Sequence, residues 1–175
     1  MEERIFINIC EKNYDAAFHE AMNSNPSDFK FGEARLVYLA RISNLLNRTE
    51  DTKSFCDSLL LELNNNLRND QYSPERHGFL AFTYALLGNR EKAIEVGEMA
   101  IKLAVKNKMV ESEMKVNLAQ IYVLVGKYDN ACSLIAYLLN NPSIFSKELL
   151  RIDPVWKPLM DNPEYRQLIL RYANN

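Results

Sequence analysis

A ten-residue string returns 38 residues downstream of itself. Tyr84-Ala85-Leu86-Leu87-Gly88-Asn89-Arg90-Glu91-Lys92-Ala93 aligns with Tyr122-Val123-Leu124-Val125-Gly126-Lys127-Tyr128-Asp129-Asn130-Ala131, with Tyr, Gly and Ala in the same relative places. Repetition at such a period restricts a chain to a stack of like units, each burying a face against its neighbour. The residues around the string define the unit. Residues 74–87 read as a helix with Pro74 in its first turn, and Gly88-Asn89 ends it. Next, Ala93, Ile94, Val96, Gly97, Ala100, Leu103 and Ala104 recur at i, i+3, i+4 and i+7, the pattern of a buried helix face. The small residues at 93, 97 and 100 admit another helix at close range. The unit is helix, tight turn, helix.

Two weaker copies precede these. Lys12-Asn13-Tyr14-Asp15-Ala16-Ala17 matches the turn and the start of a second helix. Tyr38-Leu39-Ala40 through Leu45-Leu46-Asn47 matches Phe79-Leu80-Ala81 through Leu86-Leu87-Gly88. The turn positions are then Lys12, Asn47, Gly88 and Gly126, spaced by 35, 41 and 38 residues. Helices are expected over 2–10, 13–23, 28–46, 51–68, 74–87, 90–106, 110–125 and 128–140. The polar stretches 23–27 and 69–74 separate the hairpins, which are bounded as 1–25, 28–70, 74–107 and 112–142. The first copy has few residues before its turn, so either its first helix is short or the chain is cut from a longer one; the second is the expectation.

The tail, 143–175, differs. Pro154, Pro158 and Pro163 fall within ten residues and forbid a continuous helix, while 163–173 can form one with Pro163 at its start. A stacked array leaves an apolar face bare at its end, and Trp156, Leu159, Tyr165, Leu168 and Ile169 are the residues expected to cover it.

The unit resembles the tetratricopeptide repeat, a helix–turn–helix of about 34 residues. The third and fourth copies carry its Leu-Ala…Tyr…Gly…Ala series as Leu80, Ala81, Tyr84, Gly88, Ala93 and Ala100, and as Leu118, Ala119, Tyr122, Gly126 and Ala131. His77 and Lys115 replace the family's early aromatic, Leu138 its late small residue, and the closing proline is present only as Pro142. The longer spacings imply lengthened helices or loops, at 106–108 and 49–52. The tail is similar to the D-P-x-W-x-P-L-x-x-x-P-x-[FY]-x-x-L ending that follows such arrays in multidomain bacterial signalling proteins, carried here by Asp153, Pro154, Trp156, Pro158, Leu159, Pro163, Tyr165 and Leu168. The resemblance implies an all-α fold, a right-handed superhelical stack of hairpins (an α-α superhelix) closed by a C-terminal capping helix.

Composition agrees with long helices and few breaks: five glycines and six prolines in 175 residues. A chain of this length buries roughly 70% of its unfolded surface. The formal net charge of −2 and the lack of Lys/Arg runs argue against a nucleic-acid partner. No stretch approaches the ~20 apolar residues of a membrane span, and the acidic start, Met1-Glu2-Glu3-Arg4, does not read as a signal peptide. A cytoplasmic location with no membrane association is expected. Cys10, Cys56 and Cys132 are far apart and read as buried reduced thiols. Neither they nor His19 and His77 have metal-ligand spacing.

No phosphate loop, dinucleotide fingerprint, nucleophile elbow or zinc-protease motif is present. Glu91, Glu95 and Glu98 read as a solvated helix face, His19 as exposed, His77 as packed between helices, Asp153 as a turn cap and Trp156 as a packed cap residue. No catalysis and no cofactor are expected. The resemblance places a partner-binding groove on the first helices of successive hairpins, at Tyr38 and Arg41, Phe79 and Phe82, Asn117 and Gln120. Aromatics there supply area, Arg pairs carboxylates, and amides bond a peptide backbone, although Phe79 and Phe82 read equally as core. Of the basic and amide residues with which one branch of the family clamps a chain-terminal carboxylate, only Asn117 is present; Gly78 and Phe82 stand where the first pair belongs. The expected function is a non-catalytic module for a protein or peptide partner. The alternative is a regulatory or sensory C-terminal region of a signalling protein such as a nucleotide cyclase or kinase. Ile5, Phe6 and Ile7 of the first unit are apolar candidates for self-association into a homo-oligomer.

Overall fold

The computed structural model describes residues 1–173. Among them the chain forms ten α-helices and two 3-10 turns, with no strand. In order, the helices are α1 (Glu2–Cys10), α2 (Tyr14–Asn23), α3 (Ala34–Leu45), α4 (Thr49–Asn69), α5 (Pro74–Leu86), α6 (Arg90–Ala104), α7 (Lys108–Leu124), α8 (Tyr128–Asn140), α9 (Lys147–Ile152) and α10 (Pro163–Ala173). The 3-10 turns are Pro26–Asp28 and Pro154–Leu159.

Four of the junctions share one geometry. Lys12, Asn47, Gly88 and Gly126 are the positive-φ residues of the described chain, at 63°, 57°, 76° and 76°. These are the four turn positions aligned from the sequence. At each, the next residue's amide donates to a carbonyl five residues back: Asn13 to Asn8, Arg48 to Ser43, Asn89 to Tyr84 and Lys127 to Tyr122, at 2.8–2.9 Å. This closure satisfies carbonyls that the helix end leaves bare, and the left-handed residue reverses the chain. Helices α1/α2, α3/α4, α5/α6 and α7/α8 are the resulting pairs, each packed against its mate.

The pairs then pack on one another through two sets of contacts. The second helix of a pair touches the first helix of the next: α2 on α3, α4 on α5, α6 on α7. The first helices also touch side by side: α3 on α5, α5 on α7, and α7 on the turn Pro154–Leu159. Close approach relies on small residues. Ala93 and Ala100 are buried, and a Cβ added at Gly97 would stand 2.8 Å from Leu118 Cδ1 of α7. The tail covers the last pair: Trp156 (1% exposed), Leu159, Tyr165 and Leu168 are buried with Ile135 and Leu138 of α8, and Ile169 packs at the edge.

Three segments depart from expectation. Helix α3 starts at Ala34, not at 28. Phe29 is buried in the first core cluster, and Phe31 lies between the Arg76 guanidinium (5.4 Å) and the Phe79 ring (6.0 Å). Glu33, its side chain 3% exposed, receives Arg76 Nε and Asn66 Nδ2, both at 2.7 Å, while Arg76 Nη1 donates to Asp70. These tertiary contacts outweigh the helix propensity of 28–33. The stretch 49–52 is helical, so the extra length of the second unit lies in the 21-residue α4. Helix α9 has no counterpart in the sequence expectation. In α1, Ile5 is fully buried, Phe6 is half-buried, and Ile7, at 53%, is the exposed member of that apolar trio.

Two outcomes follow. Nothing lies within 4 Å of an added Cβ at Gly88 or Gly126, so Gly88→Ala or Gly126→Ala tests backbone strain alone. Each should destabilise the fold by about 1 kcal/mol, and Lys12→Gly should stabilise it by about 0.5–1 kcal/mol, in urea melts. Burial would raise the Glu33 carboxyl, but the hydrogen bonds from Arg76 and Asn66, together with the Arg76 charge, hold it below its ordinary 4.5. That contribution is present above the unfolded value and lost as pH falls through the lowered one. Wild type should therefore lose more stability than Glu33→Gln on acidification below about 4.5, where Glu33 of the unfolded chain gains its proton.

Candidate functional site

Helices α3, α5 and α7 lie side by side, so residues at the same distance before each turn form rows across the stack. Tyr38, Phe79 and Asn117 stand nine residues before their turns; Arg41, Phe82 and Gln120 stand six before. The six candidates do not share one environment. Tyr38 is half-buried beside the Phe29 ring at 6.2 Å; burial foremost, and then the Glu2 charge, push its phenol up to about 12. Phe79 is half-buried against Phe31 and the first core cluster. Asn117 is half-buried near Gly78, and its Oδ1 has no hydrogen-bond partner. Phe82 is only 4% exposed and belongs to the core around Leu118 and Ile121.

Arg41 and Gln120 converge, from different helices, on Asp153. The Arg41 guanidinium Nη2 pairs with Asp153 Oδ1, and Gln120 Nε2 donates to Asp153 Oδ2 at 3.3 Å. Asp153 Oδ1 also accepts the Val155 amide at 3.0 Å, capping the 3-10 turn. The carboxylate therefore acts as the turn cap read from the sequence and also ties three parts of the chain together. The pair is well withdrawn from solvent, with side-chain exposures of 13% for Arg41 and 3% for Asp153. Its other face is aromatic: the Arg41 guanidinium stands 5.8 Å from the Phe6 ring centroid, adding an α1 contact.

Local sequence explains how Asp153 gets there. The residue before a proline is pushed out of the helical region, and Asp153, at φ −74° and ψ 117°, ends α9 in an extended conformation. Pro154 then opens the 3-10 turn, whose Val155, Trp156 and Leu159 are buried. Pro154, Val155 and Pro158 wall a recess that also touches Arg41 and Phe82. The chain's own proline-rich segment thus occupies part of the face on which the resemblance leads us to expect a partner. Sequence reasoning missed Asp153 as a ligand of this face. The available signal was an acidic residue at the head of an otherwise apolar, proline-rich cap.

The remaining chemistry-bearing groups are dispersed. Cys56 and Cys132 are buried and Cys10 half-buried; burial pushes the three thiols up to about 12, 11 and 11 respectively. His19 is exposed, and His77 Nδ1 lies 2.8 Å from the Ser73 carbonyl. Glu91, Glu95 and Glu98 are exposed on α6. Among the described residues, no group of three or more His, Cys, Asp or Glu side chains is placed to hold a metal ion, and no helix is long and apolar enough to cross a membrane. No protein-family model, no curated protein and no solved structure matches the chain.

Removing one member of a buried pair strands the other charge, a loss of about 3–5 kcal/mol. Arg41→Ala and Asp153→Ala should each destabilise by about that much, and the double variant by clearly less than their sum, in a denaturant-melt cycle. Additive losses below about 1 kcal/mol, as at an exposed pair, would contradict the buried-tie assignment.

Proposed function

We propose that the chain is a non-catalytic protein-interaction module, a tetratricopeptide-like stack that receives a partner protein or peptide on the face shared by α3, α5 and α7. The observation that carries this reading is how that face already treats the chain's own tail. Arg41 and Gln120 hold an acidic side chain, while Phe82 lines one recess with Pro154 and Val155. Those are the contacts with which a groove holds an extended peptide: a cation and an amide for polar groups, an aromatic for apolar ones. The other row at the repeat spacing, Tyr38, Phe79 and Asn117, extends the same chemistry beyond the cap. The four turns with one hydrogen-bond closure support the repeat reading that underlies it.

A regulatory region of a signalling protein remains the alternative. It is favoured by the cap sequence, whose Asp153 and Trp156 are both built into the stack. In that case the same face would receive a neighbouring domain.

Selection of peptides from a random displayed library against the purified chain tests the module reading. Enriched peptides should bind saturably and shift amide resonances of α3, α5 and α7 in a nitrogen-15 spectrum. Failure to enrich any binder, or shifts confined to α6 and α8, would sink it.

A further inference from the structure

Two recesses adjoin on the turn side of this face. One, of about 250 Å³, has Leu45, Phe82, Leu124, Tyr128 and Pro158 in its walls. The other, of about 330 Å³, has Asn47, Thr49, Lys53 and Leu87. Asn44 and Leu86 line both, so the two form one channel across three hairpins. The lining of the first recess is periodic. Leu45, Leu86 and Leu124 each stand two residues before the positive-φ residue of their own turn, and all three are half-buried. They are the same residue type at the same repeat position on three successive first helices.

The spacing of that row selects a ligand conformation. Packed helices lie about 8–10 Å apart. A polyproline II chain advances about 9 Å per three-residue turn, so its every third side chain returns to the same side. A β-strand returns to one side every second residue, about 7 Å, and falls out of step with the leucines. Polyproline II also leaves its backbone groups unpaired, and the exposed amides of Asn44 and Asn47 stand in the channel as donors and acceptors. Proline-rich backbone is already accommodated, because Pro154 and Pro158 form the wall at the cap end. The charge in the channel is one-sided. Arg41 is neutralised by Asp153, whereas Lys53 is exposed and has no ion-pair partner among the described residues.

We infer that this channel binds a proline-rich segment of a partner protein in polyproline II conformation, with an apolar side chain at every third position against Leu45, Leu86 and Leu124 and an acidic residue reaching Lys53 in the adjoining recess. This deepens the interaction-module reading and rests on it.

The test is fluorescence anisotropy of the full chain with labelled Asp-Leu-Pro-Pro-Leu-Pro-Pro-Leu-Asp, which carries an acid at both ends and so serves either chain direction. The control, Asp-Leu-Pro-Leu-Pro-Leu-Asp, has the wrong period. The first peptide should bind saturably and the control at least about tenfold more weakly, a difference of about 1.4 kcal/mol. Leu86→Asp should reduce binding by a similar factor, with its fold checked by thermal melting. Lys53→Glu, at an exposed site that leaves the fold intact, should reverse the preference so that a peptide with Lys at both ends binds better. Equal binding of the two periods, or no response to end charge in Lys53→Glu, would overturn the inference. If library-selected peptides bind but the three-period peptide does not, the register is wrong and the module reading stands. If neither binds, both fall.

Discussion

A carboxylate withdrawn from water must be met by a cation and by hydrogen-bond donors, and Asp153 finds them on three different elements. Arg41 comes from α3, Gln120 from α7, and the Val155 amide from the turn that follows. Because Arg41 lies 112 residues before Asp153, this contact ties the second hairpin directly to the cap. The apolar burial of Trp156 and Leu159 supplies the cap's adhesion to α7 and α8; the ion pair sets its register over the face. Phe6 on the far side of Arg41 brings the first hairpin into the same arrangement.

The stack itself rests on a simpler device used four times. A left-handed residue with a six-residue hydrogen-bonded closure ends each first helix and starts the second within two residues. That short connection forces the two helices to pack together, and repeating it aligns equivalent residues across α3, α5 and α7. The rows on this face are a consequence of that repetition. In the row six residues before the turn, Arg41 and Gln120 are taken up by the cap and Phe82 by the core. The row two residues before the turn stays half-open and lines a channel.

This division explains why the face is a mixed surface. Arg41 is held by the protein's own tail and Phe82 by the core around Leu118 and Ile121, so they act as structure that shapes the channel. Leu45, Leu86, Asn44 and Lys53 keep exposed area and lie where another chain can reach them. A second polar cluster, Glu33 with Arg76, Asn66 and Asp70, fixes the irregular entry to α3 and holds that helix in place against α5.

The local features were legible in the sequence. Helical periodicity, the four turn positions and the burial of Ala93, Gly97, Trp156 and Leu159 follow from short-range sterics and apolar spacing, which a linear pattern records. The helix expected over 28–33 was not realised, because Glu33 bonds to Asn66 and Arg76 and Phe31 packs on Phe79, 33 to 48 positions away, while Phe29 is buried in the first core cluster. The same limit applied to Arg41, Gln120 and Asp153. Each was visible as a polar residue at a notable position, but charge pairing over 112 residues depends on where the tail folds back. By itself the sequence determined helices, turns and the repeat that stacks them. Only the tertiary structure decided which part of the shared face the tail covers and which part stays open, because that depends on the three-dimensional meeting of an unpaired carboxylate with the one Arg and Gln placed to receive it.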